Sequence, residues 1–158
     1  MATTPESISA EAALAGLAKA LREVKLDNAL PDSLTDSIYA MAYQMLAKQD
    51  FEGAKRCFTV LVEYQPSRAK NWAGLGHSLL GLNQAEGAFS AMSVAFSLEP
   101  DNAGVVLALG QAFAAAGYRG FASKAFEAAA LIAGHDQPDV VARAKASLEL
   151  LAGGSSAG

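Results

Sequence analysis

The chain is short of charge: Asp, Glu, Lys and Arg together make up 18% of its 158 residues, and basic side chains are outnumbered, twelve to sixteen. Those twelve are scattered, whereas phosphate binding requires Lys and Arg gathered on one face, so nucleic acid is excluded as a partner. The single cysteine, Cys57, rules out an intramolecular disulfide and fits a reducing compartment, hence an expected cytoplasmic location. Long apolar runs are missing as well. No stretch reaches the roughly 18–20 uninterrupted residues that span a bilayer, so no membrane segment is expected. The start, Met1-Ala2-Thr3-Thr4-Pro5-Glu6, lacks the basic region of a secretory signal. Nor is there any grouping of a nucleophile with a base, paired carboxylates, or ligands at metal spacing. The expectation is a protein that is not an enzyme, with no catalytic residues, no metal and no cofactor.

What is abundant is apolar and helix-forming: 52% of the residues are hydrophobic, and alanine supplies much of that share. The fold class is all-α. Laid against itself at an offset of 34 residues, the chain aligns Pro66 with Pro100, Leu75 with Leu109 and Gly76 with Gly110. Ala54, Ala88 and Ala122 form one column; Phe58, Met92 and Phe126 form another; Ile38, Trp72 and Val106 form a third. A fixed period of this length belongs to stacked helix pairs, each pair burying its apolar face on the next, and such arrays bind peptides or proteins.

The predicted organisation places a disordered N-terminus at 1–8 and an N-terminal docking or dimerisation helix at 9–30. Three repeats follow over 33–134 (33–66, 67–100, 101–134), then a C-terminal capping helix at 136–152 and a flexible tail at 153–158. Proline ends one helix and a Ser or Asp beside it caps the next at Pro31-Asp32-Ser33, Pro66-Ser67 and Pro100-Asp101. In the first helix, Leu14, Leu17, Leu21 and Val24 form one stripe. Two heptads are too few for a free coiled coil, so the stripe either docks on the end of the array or meets a second copy in a homodimer.

The repeat columns resemble the tetratricopeptide pattern. Repeat two supplies Trp72, Leu75, Gly76, Leu79, Ala88, Met92, Ala95 and Pro100. Repeat one supplies Ile38, Met41, Ala42, Met45, Ala54, Phe58, Leu61 and Pro66. Repeat three supplies Val106, Leu109, Gly110, Phe113, Ala122, Phe126 and Ala129, with Gly134 in place of the closing proline. The resemblance implies a solenoid of three helix pairs. The whole layout, together with Ala42-Tyr43, the run Lys48-Gln49-Asp50-Phe51-Glu52-Gly53-Ala54, Cys57-Phe58 and Trp72-Ala73-Gly74-Leu75-Gly76, resembles the type III secretion chaperones that escort hydrophobic translocator proteins. That resemblance implies a bacterial cytoplasmic chaperone whose partner is an extended, proline- and leucine-anchored segment of a translocator, held in the concave groove without nucleotide. Ala85 departs from it, standing where repeat one has Phe51.

The groove is read from the first helix of each pair. Ile38, Met41, Ala42 and Met45 make one apolar stripe, and Asp36, Tyr39, Tyr43 and Leu46 make a second. A helix apolar on two sides has two things to bury, and in a stacked array the second stripe faces the concave surface. The same columns give Lys70, Ala73, His77 and Leu80 in repeat two, and Gly104, Leu107, Gln111 and Ala114 in repeat three. The expected groove thus has an aromatic end, a middle of small residues and an apolar far wall; the alternative is that Tyr39 and Tyr43 pack beneath the N-terminal helix. Ser67-Arg68-Ala69-Lys70 matches an enzymatic Ser-x-x-Lys motif, but its companions are missing and a helix cap explains Ser67. Two readings from other classes remain: a scaffold or assembly subunit on a folded partner, and a regulatory subunit acting on a transcription factor.

Overall fold

The computed structural model describes residues 9, 12–17, 19 and 30–154. Among these residues every regular element is helical. Seven helices run α1 Asp32–Ala47, α2 Phe51–Tyr64, α3 Ala69–Gly81, α4 Ala85–Leu98, α5 Ala103–Ala115, α6 Arg119–Ala133 and α7 Pro138–Gly153. Each packs on its chain neighbours, and the first helices of successive pairs also meet, α1 on α3 and α3 on α5. That next-nearest contact is what makes the array a curved stack. The expected disordered segment 1–8, most of the tail, and Leu21 and Val24 lie outside the described residues. Residues 12–17 and 19 are helical, Ser9 accepts a hydrogen bond from the Ala12 N–H at 3.1 Å, and Leu14 and Leu17 stand 66% and 57% exposed.

Inside each pair the turn has one geometry. Gln49, Asn83 and Gly117, one column of the 34-residue period, adopt φ of 62°, 59° and 86°. This left-handed residue reverses the chain so that the next N–H reaches back to the last turn of the helix. Asp50 N–H donates to the Met45 carbonyl at 2.9 Å, Gln84 N–H to Leu79 at 2.8 Å, and Tyr118 N–H to Phe113 at 2.8 Å. The carbonyls orphaned at each helix end are satisfied identically three times. The following helix starts differ more. Asp50 caps α2 by accepting from Gly53 N–H at 3.0 Å, and Asn102 caps α5 by accepting from Gly104 and Val105 at 3.0 and 3.3 Å. Helices α1, α3, α4, α6 and α7 begin without a side-chain cap, so the caps expected beside Pro31 and at Ser67 are not formed, and Asn102 stands in for the expected Asp101.

The core follows the repeat columns. Ala54, Ala88 and Ala122 are fully buried, as are Ala42 and Met92, with Phe58 and Phe126 nearly so. Glycine sets the helix separations. A Cβ on Gly76 would stand 2.6 Å from the Met92 Cγ, and one on Gly110 would stand 2.7 Å from the Phe126 ring. Gly74 admits Phe58 of the preceding pair, its Cβ position lying 2.2 Å from that ring. Buried polar groups are few. Thr35 donates to the Asp32 carbonyl and accepts from Gln65 at 3.0 Å, tying the start of α1 to the end of α2. Asn71 donates weakly to the Leu61 and Gln65 carbonyls, at 3.5 and 3.4 Å.

Helix α7 does more than end the stack. Val140 and Ala144 join Ala103, Val106, Leu107, Ala122, Phe126, Ala129 and Ala133 in one buried cluster, with Val141, Leu148 and Leu151 at its edge. α7 rests on both α5 and α6, as α5 rests on α3 and α4, and so adds one more helix to the stack and covers the third pair.

Candidate peptide-binding groove

A cleft of about 270 Å³ opens on the inner side of the first two pairs. Its floor and walls are Tyr39, Tyr43 and Leu46 of α1, Phe58 of α2, Lys70, Ala73, Gly74 and His77 of α3, and Asn102, Gly104 and Val105 at the start of α5. Arg143, from α7, closes the remaining side. A second cleft of about 380 Å³ continues from it past Ala47 and Phe51, sharing Tyr43, Leu46, His77 and Arg143. Together they form one trough.

The aromatic end is built around Tyr39. Its ring meets Phe58 edge-on at 5.8 Å and lies stacked against Tyr43 at 6.4 Å between centroids. The Lys70 ammonium sits 4.3 Å from the Tyr39 ring centre, a cation–π contact that holds the lysine over the trough. Burial, with the neighbouring Tyr43 adding to it, pushes the Tyr39 phenol above its ordinary pKa, so the hydroxyl stays protonated and able to donate. Tyr43 is 62% exposed, an apolar ring offered to solvent. Burial lowers the His77 pKa, and the Arg143 guanidinium lowers it further. His77 is therefore a neutral imidazole near pH 7, with one nitrogen donating and one accepting. The chemistry available is recognition: apolar depressions at Ala73 and Gly74, flat rings beside them, and a few polar groups.

Of the residues expected to line the groove, Tyr39, Tyr43, Leu46, Lys70, Ala73, His77 and Gly104 come together here. The others do not. Asp36 is exposed one turn before Tyr39 and lines neither cleft. Leu80 turns into the core, against the cluster of Met92, Ala108, Leu109 and Ala112 and that of Leu79, Ala88 and Ala91. Leu107 is 1% exposed within the cluster that α7 completes, and Ala114 packs at its edge. They cannot form an open far wall, because α7 already covers them. Gln111, half-buried, lies between them on α5 and lines neither cleft. Column reading missed Arg143 and Phe51. Arg143 lies beyond the three pairs, one period after Leu109, and the apolar stripe of the last helix says that the helix docks and not which way it faces.

Among the described residues no group of three His, Cys, Asp or Glu side chains could hold a metal, and no helix is long and apolar enough to cross a membrane. Cys57 is half-buried, its thiol 4.0 Å from the Met45 sulfur.

No family model matches the chain, and no curated protein matches it by sequence. Solved structures do. PcrH of Pseudomonas aeruginosa in complex with the chaperone binding region of PopD superposes with a TM-score of 0.72 at 19% identity, over 81% of this chain and 98% of that one. The Yersinia enterocolitica type III secretion translocator chaperone SycD, in an alternative dimer, gives 0.71 at 14% identity, over 78% and 96%. The tetratricopeptide-repeat domain of Sgt2 from Aspergillus fumigatus also gives 0.71, at 17% identity over 82% and 83%. The chain has the all-α, tetratricopeptide-like solenoid fold that these proteins share.

Proposed function

We propose that the protein is a chaperone of a bacterial type III secretion system, acting in the cytoplasm, that holds an extended hydrophobic segment of a translocator in the trough between α1, α3 and α7. The observation that carries this reading is the trough itself: exposed Tyr43 and half-buried Tyr39 and Leu46 face Ala73 and His77 across an open cleft. Rings with few rotors, beside small-residue depressions, suit the capture of alternate side chains of an extended strand. Support also comes from PcrH, solved with the chaperone binding region of PopD, and from SycD, solved with a peptide of the translocator YopD. With α7 over the third pair, the open trough spans two helix widths, roughly 20 Å. An extended chain at about 3.3 Å per residue fills that with about six residues.

The test is a synthetic translocator segment added to the purified protein. Binding raises the melting temperature of the wild type, and Tyr43→Glu removes that shift while leaving the far-UV spectrum unchanged, since Tyr43 stands largely in solvent. An undiminished shift in the variant refutes the groove. A second reading, a scaffold on a folded partner, is favoured by one feature: Tyr118 and Phe121 form an exposed aromatic edge with Phe113 at the outer turn of the third pair. On that reading the peptide gives no shift with either protein.

A further inference from the structure

The trough is electrostatically unlike the rest of the molecule. The chain carries a formal charge of −4, yet the residues lining the two clefts include Lys70 and Arg143 and neither an Asp nor a Glu. Lys70 is held over the Tyr39 ring. Arg143 has no ion-pair partner among the described residues. It is brought to the trough by α7, whose Ala144, the next residue, is fully buried, so the guanidinium is carried by an anchored backbone. Beside it stands His77, whose imidazole can donate a second hydrogen bond.

We infer that Arg143 of α7, together with Lys70 and His77 of α3, selects an extended peptide that carries a carboxylate side chain among its apolar anchors. This rests on the groove reading above and adds the chemical class of what the groove accepts. An arginine fork presents paired N–H donors that match a carboxylate in plane, and a partly desolvated site strengthens the bond relative to open water. A basic side chain at the same place would meet two cations and no acceptor of opposite charge. The acidic surface elsewhere repels acidic chains in general, so only a segment that places its carboxylate within the trough gains from it. The result is selectivity by position along the peptide.

The experiment is selection of a phage-displayed library of random peptides, about ten residues long so that they overhang a roughly 20 Å trough, against the full chain and two variants. Against the wild type, bound peptides are expected to gain leucine and aromatic residues together with Asp or Glu at one fixed spacing from them. The acidic enrichment is expected to be about fivefold, the scale of one partly exposed charge pair. Against Arg143→Gln the apolar enrichment persists and the acidic one disappears. Against Arg143→Glu, Lys or Arg takes its place. Arg143 is exposed, so neither variant disturbs the core. Apolar enrichment without acid in the wild-type pool overturns the carboxylate preference and leaves the groove standing. Acidic enrichment that survives in Arg143→Gln overturns the assignment to Arg143. No enrichment of any kind overturns both.

Discussion

Gly74 decides how close α3 can come to α2. A Cβ there would stand 2.2 Å from the Phe58 ring, and that ring is also the floor under Tyr39, so core and trough share one aromatic side chain. Gly74→Ala is expected to destabilise by about 1–3 kcal/mol through overpacking against a ring that cannot fold away. Gly87 gives the contrast: a Cβ at that site meets Leu79 at 3.4 Å, ordinary contact, within helix α4. Gly87→Ala should therefore be neutral or stabilise by up to about 1 kcal/mol from helix propensity alone. Urea unfolding of the two variants separates these outcomes. Equal effects would mean that Gly74 does not set the helix spacing. The residue pairs that fix the core were legible in the sequence, because Gly76 with Met92 and Gly110 with Phe126 recur at one offset. Gly74 was legible only as part of a motif, since its partner lies in the preceding pair.

Between helices, the repeated device is the left-handed turn residue, occupied in chain order by Gln49, Asn83 and Gly117. Only glycine takes this conformation without a steric cost, and asparagine tolerates it better than glutamine. Gln49→Gly is expected to gain about 0.5–1 kcal/mol, Asn83→Gly less, and Gly117→Ala to lose about 1 kcal/mol. Thermal melts of the three variants test the order; a loss in Gln49→Gly would show that its side chain has a contact worth more than the turn geometry. The locations of the turns could be read from the sequence, as could the period that relates them. The placement of α7 could not. Its buried residues continue the columns, Val140 one period after Val106 and Ala144 one period after Gly110, but Gly134 stands in place of the closing proline before it, and its apolar stripe shows that the helix docks without showing which side chains it brings to the trough. That is why Leu107 and Ala114 were expected in an open wall and are found under α7, and why Leu80, in the same column as Leu46, turns inward: the third pair comes close enough to pack against it.

At the scale of the whole molecule, acid should loosen the fold through His77. Its pKa in the folded chain lies below 6.5 because burial and Arg143 disfavour the imidazolium. Above pH 6.5 both folded and unfolded chains hold it neutral, and it contributes no pH dependence. As pH falls below 6.5 the unfolded chain takes up the proton first, so stability declines until the lowered folded value is reached. Unfolding free energies measured between pH 7.5 and 5 should fall more steeply for the wild type than for His77→Gln. Parallel curves would mean that the imidazole is hydrated in the folded protein.

The last helix has a consequence for how many repeats the architecture can carry. Because α7 both seals the third pair and presents Arg143 beside His77, the number of pairs is set by reach as well as by stability. A fourth pair inserted before Pro138 would stack well enough, yet it would carry the guanidinium away from the imidazole by about one helix spacing, roughly 10 Å. The longer trough would still hold Lys70 over Tyr39, but the guanidinium would face a different rung. The molecule is a ruler with its zero mark at the C-terminal end.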